Sequence, residues 1–325
     1  AIELRMSADV PIANFLSGGL DSSSIIKNLH DNKISANTFS VYVDNEKYNE
    51  KKYIEEVVRK YQTNHSSIEI SSKITSSEIF EGLDSLDEPY SDPSVIPSYL
   101  LSREISKKYK VAISGDGGDE LLGGYSRVNQ IINRKNKFEN IYPKLYKIYP
   151  AVFGTGNKLL SRSGNIENAY RSYLEDEKLL NLFKVSSDKY DYANGLNNKE
   201  GLYKKLLSAE YKFYLSEMMM LKIDRTSMAN SLEIRSPFVD HKLVEYIIST
   251  KPDYININLS KKILRDYLDP DLSKELIHRD KKGFVFDYEE WIYNNISTVS
   301  EIIDAGSIVK NLNKNILKLL SINKS

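Results

Sequence analysis

The chain has 325 residues, enough for one large domain or two modest ones with a sizeable core. Lys and Arg together number 45, as do Asp and Glu, so the formal net charge is zero and gives no general pull toward nucleic acid or an anionic membrane. Cysteine is absent, which removes disulfides, thiolate metal sites and cysteine nucleophiles, and His30, His65, His241 and His278 lack metal-ligand spacing.

No apolar run reaches the length of a bilayer span and no signal peptide is visible, so the expected location is cytoplasmic. Ala1 opens inside a charged amphipathic stretch, which reads as the start of a fragment or a processed chain.

In chain order, residues 10–16 are apolar and end in Ser-Gly-Gly, and 22–29 follow as a helix. Residues 38–43 (TFSVYV) read as a strand. The run 50–61 carries Tyr53, Ile54, Val57 and Val58 at helical spacing, and 67–70 read as a short strand. A helix over 95–108 precedes a strand over 110–113 that ends in Ser-Gly-Asp-Gly-Gly. Strand and helix in alternation predict a doubly wound parallel sheet with helices on both faces. After Tyr125 the strand signals fade: a long helix is expected over 202–228, and others over 242–248, 261–267, 288–295 and 314–320. The expected organisation is an α/β core over 1–125 and a mainly helical part over 126–325, packed as one body because no Gly/Ser- or Pro-rich linker separates them.

Two turns carry the chemistry. Ser17-Gly18-Gly19-Leu20-Asp21-Ser22-Ser23 leaves a strand and opens a helix. Glycines allow close backbone approach to an anion, and a helix N-terminus offers free N–H donors, so the turn suits a phosphate; it equally suits a plain Ser-capped turn. It lacks the Gly-Lys-Ser/Thr ending of a Walker A loop. Asp21 is the informative residue, because a carboxylate beside phosphate needs a bridging cation such as Mg²⁺. Ser114-Gly115-Asp116-Gly117-Gly118-Asp119-Glu120 also follows an apolar strand, with spacing unlike an EF-hand. In a doubly wound sheet both turns lie at carboxyl ends of strands, where Asp21 and Asp119 could share one Mg²⁺.

The pair SGGLDSS and SGDGGDELLGGY resembles the asparagine synthetase family, whose synthetase domain is a PP-loop ATP pyrophosphatase. Further segments match in order: SADVP at 7–11, LDEP at 86–89, SDPS at 91–94, KIDRTSMA at 222–229, SLEIRSPFVD at 231–240 and RDKKGF at 279–284. The resemblance covers about residues 1–290. It implies adenylation of a carboxylate by ATP, release of pyrophosphate, and attack of ammonia to give an amide and AMP; aspartate is the expected acceptor, with a sugar acid or a non-catalytic ATP-binding module as alternatives. By resemblance, Leu16 and Val41 contact adenine. Ser17, Gly18, Gly19, Asp21 and Ser22 hold pyrophosphate and Mg²⁺, and Ser114 and Gly115 meet the nucleotide near the α-phosphate. Asp116, Lys281 and Arg225 are the implied catalytic residues, Lys222 a further binding residue, and Asp21 with Asp119 the metal ligands.

Residues alone read Leu16 and Val41 as core, Arg225 as a surface helix pair, and Glu233, Arg235 and Asp240 as a structural ion network. The family's glutaminase domain, headed by a catalytic cysteine, would precede Ala1, so ammonia is expected from outside this chain. Expected partners are small molecules, with no nucleic acid or membrane; a homodimer is left open.

Overall fold

A computed structural model of the chain describes residues 1–43, 50–70, 74–88, 90, 92–133, 165–174, 193–194, 196, 201–249, 260–279, 286 and 288–305. The chain divides into two compact units, one of residues 1–133 with 198–286 and one of 134–197 with 287–325.

The first unit is built on five parallel strands, β1 (Ile12–Phe15), β2 (Asn37–Val43), β3 (Asn64–Ile70), β4 (Val111–Ile113) and β5 (Glu233–Arg235), in the order β3-β2-β1-β4-β5. The helices in chain order are α1 (Ile2–Arg5), α2 (Leu20–Asp31), α3 (Lys51–Tyr61), α4 (Ser76–Asp84), α5 (Val95–Ser106), α6 (Gly118–Leu122) and α7 (Ser126–Ile132). Then come α8 (Leu202–Ala209), α9 (Leu221–Met228), α10 (His241–Ser249), α11 (Lys262–Leu268) and α12 (Lys274–His278). The chain steps outward from β1 to β2 to β3, then returns to place β4 on the other side of β1. That reversal makes the gap beyond the carboxyl ends of β1 and β4 a topological switch point, where ligands of such sheets bind.

Burial follows from the layering. Ile12, Ala13 and Asn14 of β1 and all of β4 are buried, as expected of central parallel strands covered on both faces. Ala13 pairs with Ala112 across β1 and β4, and both are fully buried. Their small side chains leave room for Leu101 and Ile105 of α5, which share a core cluster with Phe39 and Leu232.

The strands and helices expected over the first 113 residues are present, with β3 longer than expected at Asn64–Ile70. Several elements went unforeseen, among them the helices α4, α6, α7 and α12 and the strand β5. Helix α4 begins with a reciprocal capping box: Thr75 Oγ1 accepts from Glu78 N at 3.3 Å, and Thr75 N donates to Glu78 Oε2 at 3.1 Å. Strand β5 is three residues long, too short to show alternation, and completes the sheet from far along the chain. The single helix expected over 202–228 is α8 and α9 with a π-helical stretch, Glu210–Met220, between them. Glu210, fully buried at its start, accepts Arg127 Nε at 2.6 Å and Arg127 Nη2. The guanidinium lies between the rings of Tyr125 and Tyr214, 4.0 and 4.1 Å from their centroids.

In the second unit the described helices are Ile166–Leu174, Tyr288–Asn294 and Ile296–Ala305. Ile166, Ala169 and Tyr170 form the buried side of the first. The helix expected over 314–320 lies outside the described residues. No described helix is long and apolar enough to cross a membrane.

Candidate active site

The two turns meet. The first runs from β1 into α2 with Gly18 at φ +68°, a conformation that favours glycine. Ser22 Oγ closes it, accepting from Ser17 N at 3.2 Å and donating to Gly19 O at 3.3 Å. Gly19 caps α2 with no side-chain bond, so the N-cap residue itself takes none of the first-turn N–H groups. The second turn crosses directly over Asp21: a side chain at Gly115 would start 2.9 Å from Asp21 Cβ, and one at Gly118 would overlap the Asp21 carboxylate. Glycine at these two positions is therefore a condition of the approach.

Asp21 and Asp119 converge on one cation. Lys261 Nζ pairs with Asp21 Oδ2 and, at 2.5 Å, with Asp119 Oδ1. Lys261 is 7% exposed, and its two acids are 16% and 13% exposed at the side chain. Burial alone would lower the ammonium pKa; the charges of Asp119 and Asp21 and their hydrogen bonds outweigh it and hold the pKa above the usual lysine range. Lys261 N also donates to Leu122 O at 3.2 Å, and its backbone sits at φ +55°, which an L side chain rarely adopts. Ser114, at the start of the second turn, is 1% exposed, and its Oγ makes no hydrogen bond among the described residues. A buried hydroxyl aimed at no protein partner is the kind of group a ligand oxygen satisfies.

The other expected residues fall as follows. Ser17 is exposed at the mouth of the first turn. Asp116 is half-buried, and its carbonyl accepts from Ser236 Oγ. Leu16 is 2% exposed and its N–H extends the β1–β2 pairing to Phe39 O at 2.8 Å; Val41 packs on the core cluster. Arg225 is exposed and pairs with Asp87 at 2.8 Å. Lys222 is buried and donates to Ser94 Oγ at 2.7 Å, beside Asp92 at 3.4 Å. Lys281 lies outside the described residues.

Lys261 and Arg279 were missed from the sequence. Arg279 Nη2 donates to Gly18 O at 2.9 Å, while Nη1 pairs with Glu50 at 2.5 Å. A signal for Lys261 was legible: Lys261-Lys262 stands at a helix N-terminus, where the macrodipole disfavours cations.

The arrangement can be tested against a divalent metal. Among the described residues no group of three or more His, Asp or Glu forms a metal cluster. The two carboxylates that converge on a single positive centre do match Mg²⁺, which takes one or two carboxylates and draws its other ligands from phosphate and water.

A parallel sheet with glycine turns at its switch point defines a doubly wound α/β protein, an architecture consistent with the PP-loop fold. The asparagine synthase family description matches residues 1–311, and the chain belongs to that family. It is 29% identical over 315 residues to asparagine synthetase (glutamine-hydrolyzing) 1 of Bacillus subtilis (strain 168), covering 91% of this chain and 50% of that protein. Asparagine synthetase (glutamine-hydrolyzing) 3 of the same organism is 30% identical over 311 residues, covering 87% of this chain and 46% of the relative. A putative asparagine synthetase (glutamine-hydrolyzing) 2 of Methanocaldococcus jannaschii is 28% identical over 245 residues, 70% of this chain and 47% of that protein. The chain thus spans about half the length of the curated relatives it matches.

Proposed function

We propose that this chain forms an amide from a carboxylate at the expense of ATP, with aspartate as acceptor and β-aspartyl-AMP as intermediate. The observation that carries the reading is the meeting of Asp21 and Asp119 on one buried cation at the switch point, next to the unbonded Ser114 hydroxyl. A carboxylate resists attack by ammonia because its leaving group would be oxide. In the first step its oxygen attacks the α-phosphorus of ATP and the bond to the bridging oxygen breaks, releasing pyrophosphate. In the second, ammonia attacks the acyl carbon, loses a proton, and the C–O bond to AMP breaks.

The residues divide that work. Ser17, Gly18, Gly19, Ser22 and the first turn of α2 hold the departing pyrophosphate with hydroxyl and N–H donors. Ser114 and Gly115 sit beside the α-phosphate, with Asp116 facing the acyl-adenylate. Lys261 brings positive charge to the same place and keeps two acids from repelling the nucleotide. Asp21 and Asp119 would hold Mg²⁺, which when bound neutralises phosphate charge. Leu16 and Val41 would border adenine; Arg225 and Lys281 would address the acceptor or the intermediate. Ammonia comes from a glutaminase domain or partner outside this chain.

The test is AMP formation from ATP, dependent on both aspartate and ammonia. Asp21→Asn is expected to lower it at least about 100-fold, the scale of losing one preorganised charge partner in the transition state. Full activity in D21N would remove the metal assignment, and AMP formation with a uronic acid but not aspartate would change the acceptor.

A further inference from the structure

Arg279 stands just before the segment that carries Lys281, and it grips the first turn from outside. Its Nη2 donates to Gly18 O at 2.9 Å, its Nη1 pairs with Glu50 at 2.5 Å, and its guanidinium lies 4.3 Å from the centre of the Tyr53 ring. Arg279 and Glu50 are 13% and 12% exposed at the side chain, so the pair is largely shielded from water. The start of α3 closes on the same glycine: a Cβ at Gly18 would lie 3.0 Å from Ile54 N and 3.1 Å from Tyr53 Cβ.

The direction of one peptide plane matters here. In a trans peptide the carbonyl of Gly18 and the N–H of Gly19 point opposite ways. Holding Gly18 O toward Arg279 therefore turns Gly19 N–H toward the open side of the turn, where it meets Ser17 Oγ at 3.3 Å. Glycine adopts φ of either sign, so no Cβ penalty at Gly18 or Gly19 opposes a flip of this peptide. A flipped peptide would present a carbonyl oxygen to an anion in place of a donor.

We propose that Arg279 is a positioning residue for the pyrophosphate turn: its fork locks the Gly18–Gly19 peptide with the N–H facing the phosphate. It touches neither substrate nor reacting atoms. The inference rests on the nucleotide site proposed above.

The probe is inorganic pyrophosphate in magnesium-containing buffer, with binding to the chain measured by calorimetry alongside the melting temperature. Arg279→Met is expected to weaken pyrophosphate about tenfold, the worth of one charge-assisted hydrogen bond. Arg279→Lys, which keeps a charge for Glu50 but lacks the two-pronged fork, is expected to lose about threefold and stays informative if R279M does not fold. Lys60→Ala removes a different tie of the same region, Lys60 to Asp271 at 3.1 Å, and is expected to lower melting slightly with pyrophosphate affinity unchanged. Wild-type affinity in both Arg279 variants would overturn the proposal while leaving the nucleotide site standing. Equal weakening in K60A would reduce Arg279 to a general stabiliser and overturn it too. If the unmodified chain binds neither pyrophosphate nor ATP, the site reading itself fails.

Discussion

Lys261 does two jobs that a surface lysine does not. It holds an uncommon left-handed backbone, and it supplies the charge that lets Asp21 and Asp119 stand together. Replacing it with Met is expected to cost about 3 kcal/mol in urea unfolding at pH 7, the low end for breaking a buried ion pair. AMP formation should fall about 100-fold or more; a variant of unchanged activity would show the ammonium to be dispensable. Asp92 makes a separate pH prediction. Burial would raise its pKa, but the Lys222 charge and then the Ser94 hydrogen bonds hold it below the ordinary value of 3.8. A depressed carboxylate stabilises the fold above its unfolded pKa and loses that contribution as pH falls through the folded value. Melting temperature should thus drop below about pH 4, and Asp92→Asn should flatten that drop. Equal steepness in D92N would place the acid sensitivity elsewhere. At this scale the sequence disclosed the acids but not their cation. Asp21 and Asp119 follow glycine turns after strands, whereas Lys261 is one of 45 basic residues, and the misplaced charge of Lys261-Lys262 at a helix start marks it without saying which acids it meets.

Among the elements, the hairpin of α11 and α12 is tied to α2 and α3 by side chains distant in sequence. Asp271 pairs with Lys27 and with Lys60; Glu56 accepts Ser273 N at 2.6 Å and Ser273 Oγ at 2.8 Å; Glu275 meets Lys52 at 2.5 Å. Arg265 links its two ends, donating to Ser260 O at 2.8 Å and to Ile277 O. Lys261 and Arg279 flank this clamp in sequence, and no local pattern announces it because each tie spans well over a hundred residues or joins two turns. Local signals fared better where they are strong. The amphipathic α3 and apolar β1 were legible, and the capping box of α4, Thr75 to Glu78, was present in the sequence but passed over. Thr75→Ala is expected to destabilise by about 1 kcal/mol, read from the urea midpoint, with AMP formation unchanged. A loss of activity to match would mean that α4 reaches the site.

For the whole molecule, alternation of strand and helix revealed the doubly wound class, while the strand order β3-β2-β1-β4-β5 came only with the fold. The fifth strand was invisible: three residues, Glu233–Arg235, lie within a segment that reads as helix and turn. Balanced charge has a measurable consequence. With 45 residues of each sign, mutual repulsion between copies is weakest near neutral pH. Solubility in low salt should pass through a minimum near pH 7 and rise on either side, as read by turbidity against pH; a monotonic rise would point to dominance by one local patch.

The pairing of β4 with β5 also sets a timetable for biosynthesis. Val111 pairs with Glu233, so one flank of the central strands stays bare while about 120 further residues are made, roughly 6 to 24 seconds at ribosomal speed. A nascent chain in that interval exposes unpaired N–H and C=O groups beside an apolar surface, the combination that chaperones sequester. Chains truncated before Glu233 should accordingly accumulate as aggregates, whereas those extending past the clamp should emerge in the supernatant.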